Sequence, residues 1–133
     1  MLGVAVALYC LAMAGVAAMA LKYGRGPVPQ DYHKAILGDQ IPDAVLTVIG
    51  ALYRVFGAAL AALALAGAAL ALGPLAQGAL WAKFVIFAVA VLVAVPSMIV
   101  PRQVENATGV RTPWRIAAVL LAVSVVAFVL SFL

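Results

Sequence analysis

Long apolar stretches alternate with short polar segments along this chain. The apolar stretches cover residues 1–21, 44–72, 81–100 and 114–133. A hydrocarbon layer about 30 Å thick requires about 20 residues of helix at about 1.5 Å rise each, and every stretch is close to or above that length. None of them alternates apolar with polar residues, as the strands of a membrane barrel do. The pattern therefore predicts four transmembrane helices.

The polar segments predict how these helices are connected. Residues 22–43 and 101–113 hold most of the charged side chains, and residues 73–80 form a short turn that begins with Gly-Pro. A short turn makes the helices on either side of it antiparallel neighbours. We therefore predict a single all-α membrane domain, an integral membrane four-helix bundle with up-down-up-down topology.

Composition agrees with lipid as the solvent of this chain. Of 133 residues, 68% are hydrophobic and 9% are charged, against about 25% charged in soluble domains. So few charges cannot cover a soluble surface, and the lipid bilayer is the first predicted partner. Cys10 is the single cysteine, which excludes a disulfide framework. No basic face is interleaved with aromatic residues in a soluble segment, so nucleic acid is not a predicted partner.

Lysine and arginine side chains concentrate on one predicted side of the membrane. Only Lys83 falls on the opposite side. Short cytoplasmic loops carry an excess of lysine and arginine, so this side is predicted to be the cytoplasm and both termini to lie outside. Six of the eight basic residues form this group: Lys22, Arg25, Lys34, Arg102, Arg111 and Arg115.

Arg54 is the one charge well inside a predicted span, and two interpretations of it stay open. Residues 55–72 are apolar and nearly long enough to cross the membrane without it. Arg54 then anchors the helix at the cytoplasmic boundary, with its aliphatic stem along the lipid. Alternatively, it forms an interior pair with Asp43 or Glu105 or contacts a ligand, because charges inside membranes often mark functional sites.

His33 stands near several carboxylates in the first connector. Asp31, Asp39 and Asp43 accompany it, but a zinc site requires three or four well-spaced ligands. We therefore predict a plain connector or a docking surface here, with no metal and no cofactor. Residues 32–38 could form a short amphipathic helix at the membrane surface.

Small residues recur along the second span. Gly50, Gly57 and Ala64 are spaced seven residues apart, and small residues allow membrane helices to approach closely. One interpretation is a seam where spans one and two pack together. The other is general alanine richness of the chain.

The stretch TGVRTPWRIA precedes the last span. Gly109 suits a turn that requires positive φ. Thr112 is a favourable N-cap, and Pro113 is favoured as the first helical residue. Trp114 and Arg111 suit the membrane boundary. Each of these residues therefore has a structural role in starting the last helix.

The segment GVRTPW, residues 109–114, resembles the Gly-Ile-Arg-Thr-Pro-Trp signature of the SdpI family of bacterial membrane proteins. Some members of that family confer immunity to a secreted toxin. Asn106 matches an asparagine that often precedes the glycine in the family, whereas Arg115 replaces a threonine. The whole chain looks like the small four-helix bacterial inner-membrane proteins. The resemblance implies a bacterial inner (plasma) membrane location and a binding role for Arg111 and Trp114.

These features predict a small non-enzymatic integral membrane protein that acts through protein or ligand contacts. An accessory or assembly subunit and an immunity-type binder both fit, with a membrane protein or a second copy as partner. The alternatives are an oligomeric transporter or pore that uses Arg54, and a membrane enzyme or cofactor carrier that uses His33 and the nearby aspartates. No catalytic residue is predicted. The predicted binding or interface residues are Arg54, His33, Arg111 and Trp114.

Overall fold

The structure is a computed structural model that describes residues 1–133, and it confirms an all-helical chain. Three helical segments are long and apolar enough to cross a membrane: α1, α4, and α3 together with the π-helical turn that continues it. The last helix is apolar but shorter, at 17 residues. The helices are α1 (Leu2–Arg25), α2 (Asp31–Leu37), α3 (Asp43–Leu70) with its π-helical turn (Ala71–Leu75), α4 (Leu80–Thr108) and α5 (Trp114–Leu130).

The π-helical turn contains Pro74. Because proline has no N–H and crowds the preceding turn, it disturbs the regular α-helical hydrogen bonds. The backbone widens here, and the N–H of Ala76 donates to the carbonyl of Ala71 at 3.2 Å. The helical backbone consequently continues to Leu75, beyond Gly73, where the sequence pattern places the start of the turn.

Gly109, and not Pro101, ends α4. The helix runs through Pro101 to Thr108. Gly109 then adopts φ 71°, and its N–H donates to the carbonyl of Glu105 at 2.9 Å. Glycine is the residue that adopts this conformation most readily at a helix end. The predicted positive-φ turn at Gly109 is confirmed, whereas the connector begins there instead of at residue 101.

Thr112 does not cap α5. Its hydroxyl donates to the carbonyl of Pro101 at 2.8 Å, and its N–H donates to Oε2 of Glu105, also at 2.8 Å. The N-cap position belongs to Pro113, and no side chain caps it. The predictions of Thr112 as N-cap and Pro113 as first helical residue are therefore wrong. Thr112 instead donates to two acceptors on α4, the carbonyl of Pro101 and the carboxylate of Glu105.

α1 lies between α3 and α5 and packs against both, and α4 packs against α5. α3 and α4 share few contacts. The closest backbone approach joins α1 and α3: a Cβ atom on Gly57 would lie 2.7 Å from the amide nitrogen of Gly24 and 3.0 Å from the carbonyl oxygen of Ala20. The predicted seam between the first two spans is therefore confirmed at Gly57.

One end of the molecule holds the buried core. Here the beginning of α1 meets the end of α3, the beginning of α4 and the end of α5. Lys83 lies beside this core, where its Nζ donates to the carbonyl of Ser131 at 2.5 Å and stands 4.5 Å from the ring centre of Phe132. The core residues are Tyr9, Ala71, Leu75, Ala82, Ile86 and Ala127.

Candidate functional site

A cavity of about 350 Å³ lies between α1, α3, α4 and α5. It begins beside the core described above and extends toward the connectors. Along α1 it is lined from Ala12 to Tyr23, which corresponds to a length of about 16 Å at about 1.5 Å per residue. Its volume falls in the range of about 300–1,000 Å³ that small-molecule sites occupy.

The walls of this cavity are apolar. No charged side chain lines it, and Met13, Leu60 and Val93 are typical of its surface. Ser97 and Ser124 also line it, but each hydroxyl donates to a carbonyl of its own helix, at 2.7 and 2.9 Å. The single donor proton of each hydroxyl is therefore used within α4 or α5. The remaining walls are apolar and suit a hydrocarbon group.

Two tyrosines form the connector end of the cavity. The hydroxyls of Tyr23 in α1 and Tyr32 in α2 are hydrogen-bonded to each other at 2.9 Å, and both residues line the cavity. Edge-to-face contacts hold the ring of Tyr23 against Phe56 and Tyr53, with ring centres 4.9 and 5.2 Å apart. Such aromatic pairs stabilise a fixed ring orientation, so the two hydroxyls are held in place.

His33 lies next to this tyrosine pair. Its Nδ1 is hydrogen-bonded to the hydroxyl of Tyr53, which also accepts the backbone N–H of Gln30 at 3.4 Å. Tyr53 donates this bond to His33 when the imidazole proton is on Nε2 and accepts it when the proton is on Nδ1. Burial, with a smaller contribution from Lys22, lowers the pKa of His33 from its ordinary value of 6.5. The imidazole is therefore neutral at neutral pH and fastens α2 to α3.

Gln30 belongs to this polar cluster through its backbone N–H, whereas its side chain makes no hydrogen bond. Gln30 is only 2% exposed, and neither its amide nitrogen nor its amide oxygen has a partner. A buried amide without partners costs about 1–3 kcal/mol. The turn before α2 is therefore held by its backbone bond to Tyr53 and by packing.

The aspartates near His33 do not join it. Asp39 forms an exposed ion pair with Lys34, with 3.6 Å between Nζ and Oδ1. No group of three histidine, cysteine, aspartate or glutamate side chains is close enough to hold a metal ion. His33 thus contacts tyrosines instead of aspartates. The spacing of ionisable residues along the sequence does not reveal these contacts.

Arg54 lines one end of a shallow groove between α1 and α3. Arg25, the last residue of α1, lines the same groove, so Arg54 is level with the end of α1. Neither Asp43 nor Glu105 pairs with Arg54; Glu105 instead binds Arg115, with 3.0 Å between Oε1 and Nη2.

Trp114 is held between two arginines at the beginning of α5. The guanidinium carbons of Arg102 and Arg115 lie 5.3 and 4.6 Å from its ring centre, which is the geometry of cation–π contacts. Its Nε1 is buried and has no partner. Arg111 is exposed and takes no part in this arrangement. No hydrogen bond or ion pair joins Trp114 to His33.

Sequence reasoning missed the tyrosines of the site. Tyr23 and Tyr32 are nine positions apart; Tyr23 follows Lys22, and Tyr53 precedes Arg54. The sequence pattern explains such residues as membrane-boundary aromatics. Only the fold shows that they meet. Comparisons with protein-family models, with curated proteins and with solved structures find no match to this chain.

Proposed function

We propose that this chain is a four-pass bacterial inner-membrane protein that acts without catalysis by binding the apolar part of a membrane amphiphile. The cavity between α1, α3, α4 and α5 carries this proposal. It is large enough for a small hydrocarbon group, and its walls are apolar apart from Ser97 and Ser124, whose hydroxyls donate within their own helices. The two tyrosine hydroxyls lie at the connector end. A membrane amphiphile has the same division between an apolar tail and a polar head.

The distribution of charge supports the proposed arrangement in the membrane. α1 is uncharged up to Lys22, and about 20 apolar helical residues cross the hydrocarbon layer. Arg54 is level with the end of α1, so it stands at the same membrane boundary as Arg25 and anchors α3 there. With the connectors in the cytoplasm, the positive-inside rule is satisfied and both termini lie outside.

Cysteine accessibility in intact cells tests this arrangement. In a Cys10→Ala background, single cysteines are placed at Lys34, at Arg111 and at Gln77. We expect an impermeant thiol reagent to label only the cysteine at position 77 from outside, and the other two only after permeabilisation. Labelling of positions 34 and 111 from opposite sides would contradict a four-pass arrangement.

A photoactivatable alkane tests the cavity itself. After illumination in mild detergent, we expect cross-links on cavity residues such as Met13 and Val93. Ala90 lines the cavity and Ala88, on the same helix, is exposed and does not. Ala90→Leu should fill part of the space and reduce these cross-links severalfold, while the matched variant Ala88→Leu should leave them unchanged.

Two results would contradict binding in the cavity. One is labelling of the exposed Leu92 as strong as that of Val93, because both residues are on α4 but only Val93 lines the cavity. The other is unchanged labelling in Ala90→Leu while that variant remains folded.

A further inference from the structure

We infer that the amphiphile has an uncharged head that carries a hydrogen-bond acceptor, such as a ketone or an ester, and that Tyr23 and Tyr32 recognise this acceptor. This inference rests on the proposed function and names the chemical class of its ligand. It follows from the hydrogen bonds and charges at the connector end of the cavity.

The tyrosine pair has an unused donor. Each hydroxyl has one proton to donate, and the single bond between Tyr23 and Tyr32 uses one of the two. The bond to His33 is made by a third tyrosine, Tyr53, and does not use the remaining proton. One O–H group is therefore available at the cavity for an acceptor atom.

The phenol of Tyr32 keeps the proton that it can donate. Burial, followed by the hydrogen bond to Tyr23, raises the pKa of Tyr32 above its ordinary value of 10.0. Its hydroxyl is therefore protonated at neutral pH. A neutral phenol donates to a carbonyl oxygen without requiring a counter-charge.

A charged head does not fit this end of the cavity. The cavity is lined by no lysine, arginine, aspartate or glutamate, and an ion that leaves water without a partner is strongly disfavoured. His33, the nearest titratable group on α2, is engaged by Tyr53, and Lys22 is exposed. The residues that line the cavity thus offer a carboxylate or a phosphate no ion pair.

The position of the pair also matches the length of such a ligand. Tyr23 follows Lys22, which marks the membrane boundary of α1, while Ala12 lies about 16 Å deeper along the helix. A head held by the tyrosines would lie at the interface, and its tail would extend into the apolar part of the cavity.

Competition against the photoactivatable alkane tests this inference. The competitors are an alkane, a methyl ketone and a carboxylate of equal chain length. A net hydrogen bond contributes about 0.5–1.5 kcal/mol, so we expect the ketone to compete about twofold to tenfold better than the alkane. The carboxylate should compete worse than the ketone.

The double variant Tyr23→Phe/Tyr32→Phe removes both hydroxyls and keeps both rings. It should bind alkane and ketone equally, and its retained alkane binding shows that it is folded. Tyr9→Phe is the matched control, because Tyr9 has a buried hydroxyl without a partner and lies outside the cavity. This control should keep the preference for the ketone.

The outcomes separate the two proposals. Equal competition by alkane and ketone in the unmodified protein would overturn the inference and leave the cavity as a binding site. A carboxylate that competes best, or a ketone preference that survives in the double variant, would also overturn it. If no alkane cross-links appear in the cavity at all, the proposed function fails and the inference with it.

Discussion

Replacing Gly57 with alanine would place a methyl group where α1 and α3 approach most closely. The new Cβ would lie 2.7 Å from the amide nitrogen of Gly24 and 3.0 Å from its Cα. Ordinary contacts between such atoms are about 3.5–4.0 Å. These neighbours, and the carbonyl oxygen of Ala20 at 3.0 Å, are backbone atoms, so no side-chain rotation relieves the clash and the helices must separate.

The expected cost follows from this separation. Adding a methyl group to a closely packed interior typically destabilises a protein by about 1–3 kcal/mol. Gly50→Ala is the matched control, because its Cβ would meet only the side chain of Val28, at ordinary distances of 3.6 Å from Cγ1 and 3.9 Å from Cγ2. Both substitutions gain the same helix propensity. The difference between the two variants therefore isolates the clash, and Gly57→Ala should be less stable than Gly50→Ala by about 1–3 kcal/mol.

Cys10 provides the assay. It is the single cysteine and is half-buried beside the core, so a thiol-reactive fluorophore labels it faster when the helices come apart. Both variants are titrated with SDS in mixed micelles, and labelling gives the free energy of unfolding. Equal stability of Gly57→Ala and Gly50→Ala would refute the close approach of α1 and α3 at this position.

Two further predictions concern the connectors. Thr112→Val removes the hydroxyl bonded to Pro101 and should lower the free energy of unfolding by about 1 kcal/mol. The control Thr47→Val, whose exposed hydroxyl bonds only the carbonyl of Asp43 in its own helix, should change it little; equal losses would contradict the role of Thr112. The unfolded state takes up a proton on His33 at a higher pH than the folded state, so the docking of α2 is stable above about pH 6.5 and weakens as the pH falls below it. Tryptic cleavage after Lys34, measured relative to that of an unstructured peptide at the same pH, should therefore quicken as the pH falls, and His33→Ala should remove that dependence. An unchanged dependence in His33→Ala would exclude His33 as its source.

The sequence predicts the helices better than it predicts their ends. Continuous apolar runs leave the backbone in lipid no alternative to helix, which explains why α1, α3 and α4 were predictable. The ends depend on individual contacts. Pro101 suggests a stop, yet α4 continues to Gly109. Thr112 suggests a cap, yet it binds Pro101 and Glu105 through contacts that exist only after α4 and α5 have packed.

The cavity could not be predicted from sequence patterns, for a related reason. Its existence depends on which helices touch, and small residues alone do not determine that. Gly57 identified the α1–α3 seam because a heptad spacing keeps small residues on one face. No comparable pattern indicates that α3 and α4 share few contacts, or that Tyr23 and Tyr32 meet at the connector end.

The tight seam and the open cavity are two consequences of the same packing. Gly57 brings α3 against the backbone of α1, and Gly67 of the same helix lies against Met13, which also lines the cavity. α5 packs on another side of α1, and α4 packs against α5. α1 thus holds α3 on one side and the α4–α5 pair on the other, and α3 and α4 are left apart. The bulky core closes this gap at one end, where Tyr9 and Leu75 meet. At the other end the hydrogen-bonded tyrosines line it together with Pro101 and Pro113. If the cavity binds an amphiphile as proposed, this is the end at which the protein distinguishes one ligand from another.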